Sequence, residues 1–171
     1  MNETKEEGRF MVYAKGDAVV YPMHGAGIIE NFEEKNIDGI ARSYCVLRIP
    51  IGDLTIMIDA SAMESVNLRK VMTSCDIARV MDDVVKMPTL PTGDNWNKRY
   101  KDNLEKIKSG RLSDAAIVFR SLYCREKQRG LSSAEKKMLS NVKKIMLSEI
   151  MLSYDVEKIE AEEILEKSMI V

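Results

Sequence analysis

The first third of the chain alternates between short apolar runs and tight turns, a pattern typical of β-strands. The turn signals Asp38-Gly39 and Gly52-Asp53 each separate two apolar runs and predict hairpins, because these residues tolerate the positive φ of a tight turn. Strands are predicted at 18–21, 28–32, 44–49 and 54–58. Four short strands joined in this way predict a small, strongly bent sheet or open barrel, whose edge could pair with another protein.

The pattern changes after residue 60. Residues 60–71 predict a one-turn helix followed by a last short strand near 64–68. Thr73 or Ser74 is a suitable N-cap for a helix over 75–85, which has one apolar stripe. Prolines at positions 88 and 91 then mark the clearest boundary in the chain.

Everything after this boundary has helical periodicity. The first helix, from about residue 94 to 109, directs Tyr100, Leu104 and Ile107 inward. The next three helices are predicted at 113–129, 133–153 and 155–167, with Ser113, the Ser132-to-Glu135 capping box and Asp155 at their starts. Gly110 and Gly130 suit the helix ends. The short loops predict a compact four-helix domain.

The fold class is therefore α+β, a β module followed by an all-α domain. We expect a disordered N-terminus over 1–11, a β module with a trailing helix over 12–86, a linker over 87–93 and a helical domain over 94–171. The linker separates two compositional regimes, so the two parts are expected to fold separately.

Composition points to a cytoplasmic protein with no membrane contact, since no apolar run is long enough to span a bilayer and residues 1–9 lack a signal-peptide pattern. Cys45, Cys75 and Cys124 are odd in number and far apart, which predicts reduced, mostly buried thiols and neither a disulfide framework nor a metal site. The twelve methionines fall mostly on apolar stripes, so we interpret them as core residues. No cofactor is expected.

Catalytic motifs are missing from the sequence. His24 is the only histidine and lies in a Pro-Met-His-Gly turn, where a hydrogen-bonding role is more plausible than a nucleophile's base. No glycine-rich phosphate loop is present, and Asp82-Asp83 diverge on a helix surface. We expect a protein that is not an enzyme. A thiol enzyme using Cys45 or Cys124 with His24 is one rival interpretation.

Charge is distributed unevenly. Residues 94–154 carry 14 Lys or Arg and 7 Asp or Glu, whereas the segments on both sides are acidic. This basic middle predicts an anionic partner, unless it is only a solvated helical surface. The only tryptophan, Trp96, stands at its start, beside Lys98, Arg99 and Lys101. Such a group suits a nucleic-acid surface, while composition alone favours a packing role for Trp96.

The sequence contains two sets of motifs. The first set is Gly16-Asp17-x-Val19-Val20-Tyr21-Pro22-x-His24-Gly25, Tyr44-x-Val46-Leu47 and Gly52-Asp53-Leu54-Thr55. The second set is Asn95-Trp96-x-x-Arg99-Tyr100-Lys101-x-Asn103-Leu104-Glu105-Lys106 and Arg129-Gly130-Leu131-Ser132-x-x-Glu135-Lys136-x-Met138-Leu139. Together they resemble the CarD/CdnL family: the first set resembles a module shared with the transcription-repair coupling factor, and the second resembles the CarD helical domain.

The resemblance implies a Tudor/SH3-like β module that docks by strand addition and edge contacts on the β subunit of bacterial RNA polymerase. Lys35, Ile37 and Met57 would lie at that interface. Several relatives have arginine at the position of Met57, so this contact would be packing rather than a charge pair. The protein is expected to be a monomer.

The resemblance further implies that Trp96 enters the minor groove of promoter DNA at the upstream edge of the melted region, with little sequence specificity. The residues expected to contact DNA with it are Asn95, Lys98, Arg99, Lys101, Lys136 and Lys137. A second rival interpretation is a protein-interaction adaptor that binds polymerase and another protein without touching DNA. The acidic last helix would suit that role.

Overall fold

The structure is a computed structural model that describes residues 13–88 and 95–169. The predicted N-terminal disorder and most of the predicted linker lie outside the described residues. The strands are β1 (Ala18–Tyr21), β2 (Gly25–Ile37), β3 (Ile40–Ile49), β4 (Leu54–Asp59) and β5 (Arg69–Lys70), with a 3-10 turn over Ala60–Ala62. The helices are α1 (Ser74–Lys86), α2 (Trp96–Lys108), α3 (Leu112–Gln128), α4 (Ser133–Tyr154) and α5 (Lys158–Met169).

The five strands form one antiparallel sheet in the order β4-β3-β2-β1-β5. Both predicted hairpins are confirmed, with positive φ at the turn residues Asp38, Gly39, Gly52 and Asp53. β2 and β3 extend further than the apolar pattern predicted, because their outer halves are paired but exposed and therefore polar. The last strand lies at residues 69–70 and not at 64–68. The α+β fold class is confirmed.

One face of the sheet covers a small core of its own. Its buried residues are Val19, Ile29, Cys45, Leu47, Ile49 and Ile58. Side chains alternate along a strand, so the neighbours of these residues point to the opposite face. That opposite face is largely exposed on the outer halves of β2, β3 and β4.

Helix boundaries follow the capping residues. Thr73 caps α1, and the capping box of Ser132 and Glu135 opens α4, as predicted. Two predicted caps are wrong. α3 begins at Leu112, before Ser113, with no side-chain cap, and Asp155 ends α4 in a left-handed conformation (φ 53°) instead of opening α5. A short polar residue tolerates that conformation, which explains why Asp155 suits a helix end as well as a start.

α1 packs on the helical core rather than on the sheet, which differs from its predicted grouping with the β module. Its buried residues Ile77, Met81 and Val84 belong to one apolar cluster with α2, α3, α4 and α5. The apolar stripe on α1 was visible in the sequence, but the surface that covers the stripe lies on α3 and α5, far along the chain. The division of the chain into separately folding units stays a prediction.

The sheet and the helices meet at α4. The backbone N–H of Ala26 donates to Ser148 Oγ at 2.8 Å, and Arg69 forms two hydrogen bonds to Glu149 at 2.6 and 2.8 Å. Gly25 has φ +109°, and a Cβ there would lie 2.6 Å from Ser148 Oγ. Only glycine therefore allows the β1–β2 turn to approach α4 this closely.

Candidate nucleic-acid interface

Trp96 is the first residue of α2, directly after the N-cap Asn95. Its side chain is 42% exposed. The indole stacks on Tyr100, with ring centroids 5.7 Å apart and planes at 28°, and its N–H donates to Ser132 Oγ at 3.2 Å. The ring is thus partly supported from behind while one part faces solvent. An aromatic side chain in this position is available for contact with a ligand.

Asn95 has a local structural role. Its side-chain oxygen accepts a hydrogen bond from the backbone N–H of Lys98 at 3.1 Å, which satisfies one of the free N–H groups at the start of α2. The cap fixes the first turn of α2 and therefore the point from which Trp96 projects. The predicted contact of Asn95 with DNA stays a prediction.

Arg99 lies in a different environment from the one the sequence suggested. Only 9% of Arg99 is exposed, and its Nε and Nη2 atoms donate to Glu135 Oε1 at 2.9 and 2.7 Å. In this conformation most of the guanidinium is covered and bonded to Glu135. The predicted contact of Arg99 with a DNA phosphate stays a prediction.

Glu135 connects this arginine to the cap of α4. Its Oε2 accepts hydrogen bonds from the backbone N–H and the hydroxyl of Ser132, at 3.1 and 2.9 Å. Burial raises the pKa of Glu135, but the hydrogen bonds from Arg99 and Ser132 and the positive charge of Arg99 outweigh burial, so the pKa is lowered. The carboxylate is therefore ionised at neutral pH.

Four of the predicted DNA-contacting lysines are exposed. Lys98 and Lys101 lie in the first two turns of α2, and Lys136 and Lys137 lie in the first two turns of α4. Lys136 is 3.7 Å from Glu126, an ion pair that solvent weakens. The N-terminal ends of α2 and α4 are held together by the bonds of Trp96 and Arg99, so these lysines lie on the ends of two helices that meet there.

A groove of about 480 Å³ lies between α2 and α4, beside Tyr100, on which the indole of Trp96 stacks. Tyr100 and Leu104 line it from α2, Lys137 and Met138 from α4, and Met23 from the β1–β2 turn. It is mostly apolar with one cation at its rim. The surface around Trp96 therefore combines an aromatic ring, an apolar groove and lysines.

The three residues predicted to meet the polymerase share one face of the sheet. Lys35 and Ile37 are two residues apart on β2 and therefore point to the same face. Lys35 pairs with Arg42 of β3, and Met57 of β4 pairs with Val46 of β3. Because Arg42 and Val46 are four residues apart on β3, they share a face, and their partners lie on that face too. Lys35 Nζ lies 3.4 Å from Met57 Sδ. Ile37 is 46% exposed and Met57 is 40% exposed, so this face carries uncovered apolar area. β4 is an edge strand of the sheet.

The other candidate chemistry is dispersed. Cys45 is buried, but Cys75 is exposed and Cys124 is half-buried, so the prediction of mostly buried thiols is wrong for Cys75. His24 stacks on Tyr21 with ring centroids 4.7 Å apart. Within residues 13–88 and 95–169, no group of three or more His, Cys, Asp or Glu could hold a metal ion, and no helix is long and apolar enough to cross a membrane.

Comparisons with known proteins agree with this architecture. A family model described as "CarD-like/TRCF RID domain" matches residues 13–72, and one described as "CarD, C-terminal domain" matches residues 79–166. A Bacillus subtilis (strain 168) protein described as "Putative transcription factor YdeB" is 39% identical over 138 residues, which cover 79% of this chain and 88% of the relative. The chain belongs to the CarD family, and this membership supports a role in the regulation of transcription.

Sequence reasoning missed how Ser132 and Glu135 relate to Trp96. It identified both as a capping box, which is a local signal. Their second role depends on contacts with Trp96 and Arg99, 36 residues away. The only sequence signal was the occurrence of all four residues in the two motifs that resemble the CarD helical domain.

Proposed function

We propose that this protein binds the β subunit of RNA polymerase through its β module and stabilises the open promoter complex by placing the Trp96 ring in the minor groove at the upstream edge of the melted DNA. The observation that carries the proposal is a half-exposed tryptophan held at the joined ends of α2 and α4, whose first two turns carry exposed lysines.

The physical basis is the cost of opening a duplex. Unstacking a base step costs a few kcal/mol, and an apolar ring that fills the space left at the junction offsets part of that cost. Lys98, Lys101 and Lys137 would contact phosphates, which adds affinity without reading sequence. An effect on many promoters follows, since the minor groove offers little sequence information.

The β module would bring Trp96 to the promoter by docking on the polymerase. Its exposed face carries Ile37 and Met57 beside Lys35, and the edge strand β4 presents backbone groups that could pair with a strand of the polymerase. A tethered tryptophan acts at high effective concentration, so weak affinity for free DNA is sufficient. The ion pair between Arg69 and the buried Glu149 would keep the two modules in one orientation.

The test is the lifetime of open complexes after a competitor is added, measured with wild-type protein, with Trp96→Ala and without protein. We expect wild-type protein to lengthen the lifetime and Trp96→Ala to lose most of the gain while still binding polymerase. Ile159→Ala removes another exposed apolar side chain, on α5, and serves as the matched control. An unchanged lifetime with Trp96→Ala would contradict the tryptophan's role.

The polymerase contact needs its own variants. Ile37→Asp and Met57→Asp place a charge on the exposed face without touching the sheet's core, so the fold should persist while β-subunit binding is lost. Ile40→Asp changes a neighbouring exposed position on the same hairpin and maps the extent of the contact. If the Ile37→Asp protein and the Met57→Asp protein both still co-purify with polymerase, the docking surface is refuted. If the protein is instead an adaptor that does not contact DNA, Trp96→Ala should leave the open-complex lifetime unchanged.

A further inference from the structure

Two contacts with described residues hold the side chain of Trp96. It occupies the first position of α2. Tyr100 stacks on one side, and the indole N–H has one hydrogen bond, to Ser132 Oγ. The orientation of the exposed ring therefore depends on where the acceptor lone pairs of that hydroxyl point.

The hydroxyl of Ser132 has one proton and two acceptor positions. It donates to Glu135 Oε2 at 2.9 Å, and it accepts from the backbone N–H of Glu135 at 3.3 Å and from the indole of Trp96 at 3.2 Å. Because an ionised carboxylate takes the proton, the lone pairs are left for the two N–H groups. A neutral or absent acid at position 135 would free the hydroxyl to rotate.

Arg99 fixes the carboxylate in turn. It donates twice to Glu135 Oε1, which leaves Oε2 for Ser132, and both members of the pair are buried. Arg99 is also three residues after Trp96 on α2, so the same ion pair holds the first turn of α2 against the first turn of α4. The contacts thus run from Arg99 through Glu135 and Ser132 back to Trp96.

We propose that Arg99, Glu135 and Ser132 are positioning residues that set the orientation of the Trp96 indole before any partner is bound. The benefit for the open complex rests on the proposed function of Trp96. A ring that is already oriented loses less conformational freedom on insertion, which should appear as a longer-lived complex.

Trp96 is the only tryptophan in the chain, so tryptophan fluorescence of the protein comes from this residue alone. Time-resolved fluorescence anisotropy of the free, full-length protein measures the mobility of the indole without polymerase or DNA. We expect faster local motion and stronger acrylamide quenching in Ser132→Ala, and the same in Glu135→Gln, which retains the hydroxyl but removes the charge. Ser132→Thr keeps the hydroxyl and should behave as wild type.

Loss of a helix cap is controlled by Thr73→Ala. Thr73 caps α1 through the backbone N–H of Asp76, far along the chain from Trp96, so this variant should be less stable with unchanged indole motion. Unchanged indole motion in Ser132→Ala, or equal changes in Thr73→Ala, would overturn the proposal. Wild-type motion in a folded Glu135→Gln protein would overturn the part played by Glu135 and Arg99.

The functional readout is open-complex lifetime in a double-mutant cycle. We expect Ser132→Ala to shorten the lifetime about two- to tenfold, the range for one hydrogen bond, and to have no further effect in a Trp96→Ala background. An effect that persists without Trp96 would overturn positioning. If Trp96→Ala leaves the lifetime unchanged while Ser132→Ala loosens the indole, the function proposed for Trp96 fails and the positioning stands.

Discussion

Two buried glutamates on the same helix each pair with an arginine, but the two pairs have different consequences. Arg69 pairs with Glu149 and connects the β module to the C-terminal half of α4. Arg99 pairs with Glu135 and connects the tryptophan-bearing turn of α2 to the first turn of α4. Both carboxylates are nearly inaccessible to solvent. The same chemistry thus serves one contact between modules and one within the helical domain.

The bonding patterns of the two pairs explain the difference. Glu149 uses both oxygens for Arg69 and receives a third bond from the backbone N–H of Met72, so every bond joins it to the segment around β5. Glu135 gives one oxygen to Arg99 and the other to Ser132. The bonds of Glu149 thus join the β module to the helical domain, whereas the bonds of Glu135 lead through Ser132 to the exposed side chain of Trp96.

The distance between the two carboxylates also matters. They are 14 residues apart on one continuous helix, which corresponds to about 21 Å along its axis. If the β module docks on polymerase and Trp96 reaches DNA, α4 is the spacer that relates the two contacts. A rigid spacer makes the position of the tryptophan depend on how the sheet is docked.

The largest effect is expected from removing the carboxylate between the modules. Glu149→Ala leaves the guanidinium of Arg69 and the N–H of Met72 without their buried acceptor, and should lower the free energy of unfolding by about 3–5 kcal/mol. Urea denaturation followed by circular dichroism measures this loss. The matched control is Glu163→Ala on α5, whose exposed pair with Lys167 should contribute at most about 0.5 kcal/mol.

A second substitution at this position, Glu149→Gln, tests the comparison between the two pairs directly. If Glu149 mainly fixes the modules, a folded Glu149→Gln protein should bind polymerase normally yet give shorter-lived open complexes, although neither proposed contact surface is altered. A loss of stability below about 1 kcal/mol in Glu149→Ala would show that the buried pair contributes far less than its geometry indicates.

Local signals predicted the fold well. The hairpin turns, the cap Thr73 and the capping box at Ser132 all depend on neighbours in sequence, and all are present. What could not be predicted depends on distant contacts. The expected inward residues of α2, Tyr100, Leu104 and Ile107, do pack on the helical core. The buried positions of α2 also include Arg99 and Asn103, which were not expected there. Arg99 is buried because α4 supplies Glu135, a partner that no local pattern reveals.

The next effect separates two neighbouring cations of α2. Arg99→Ala leaves Glu135 as a buried, unpaired carboxylate and should lower the free energy of unfolding by about 3 kcal/mol. Lys98→Ala removes an exposed cation and should change it by less than about 0.5 kcal/mol. Thermal unfolding of both variants makes the comparison, and similar stabilities would contradict the burial of Arg99.

The salt dependence of DNA binding should respond more to loss of the exposed Lys98 than to loss of the buried Arg99. The logarithm of the affinity falls with the logarithm of salt concentration, and each phosphate contact adds about 0.9 to that slope. Lys98→Ala and Lys101→Ala should therefore each flatten the slope by about 0.9, measured by fluorescence titration at several salt concentrations. A slope near zero in the wild-type protein would favour an adaptor that does not touch DNA.

The smallest expected effect is the pH dependence of stability that Glu135 contributes. Burial raises the pKa of Glu135, but the hydrogen bonds from Arg99 and Ser132 and the charge of Arg99 outweigh it, so the folded-state pKa lies below the ordinary value of 4.5. A lowered pKa contributes stability that is present above about pH 4.5 and is lost as the pH falls through the folded-state value. Unfolding free energies of wild type and Glu135→Gln should therefore converge below about pH 4.5, and indole motion in the wild type should increase over the same interval. A constant difference between the two proteins down to the acid transition would show that the charge of Glu135 does not hold this end of α4.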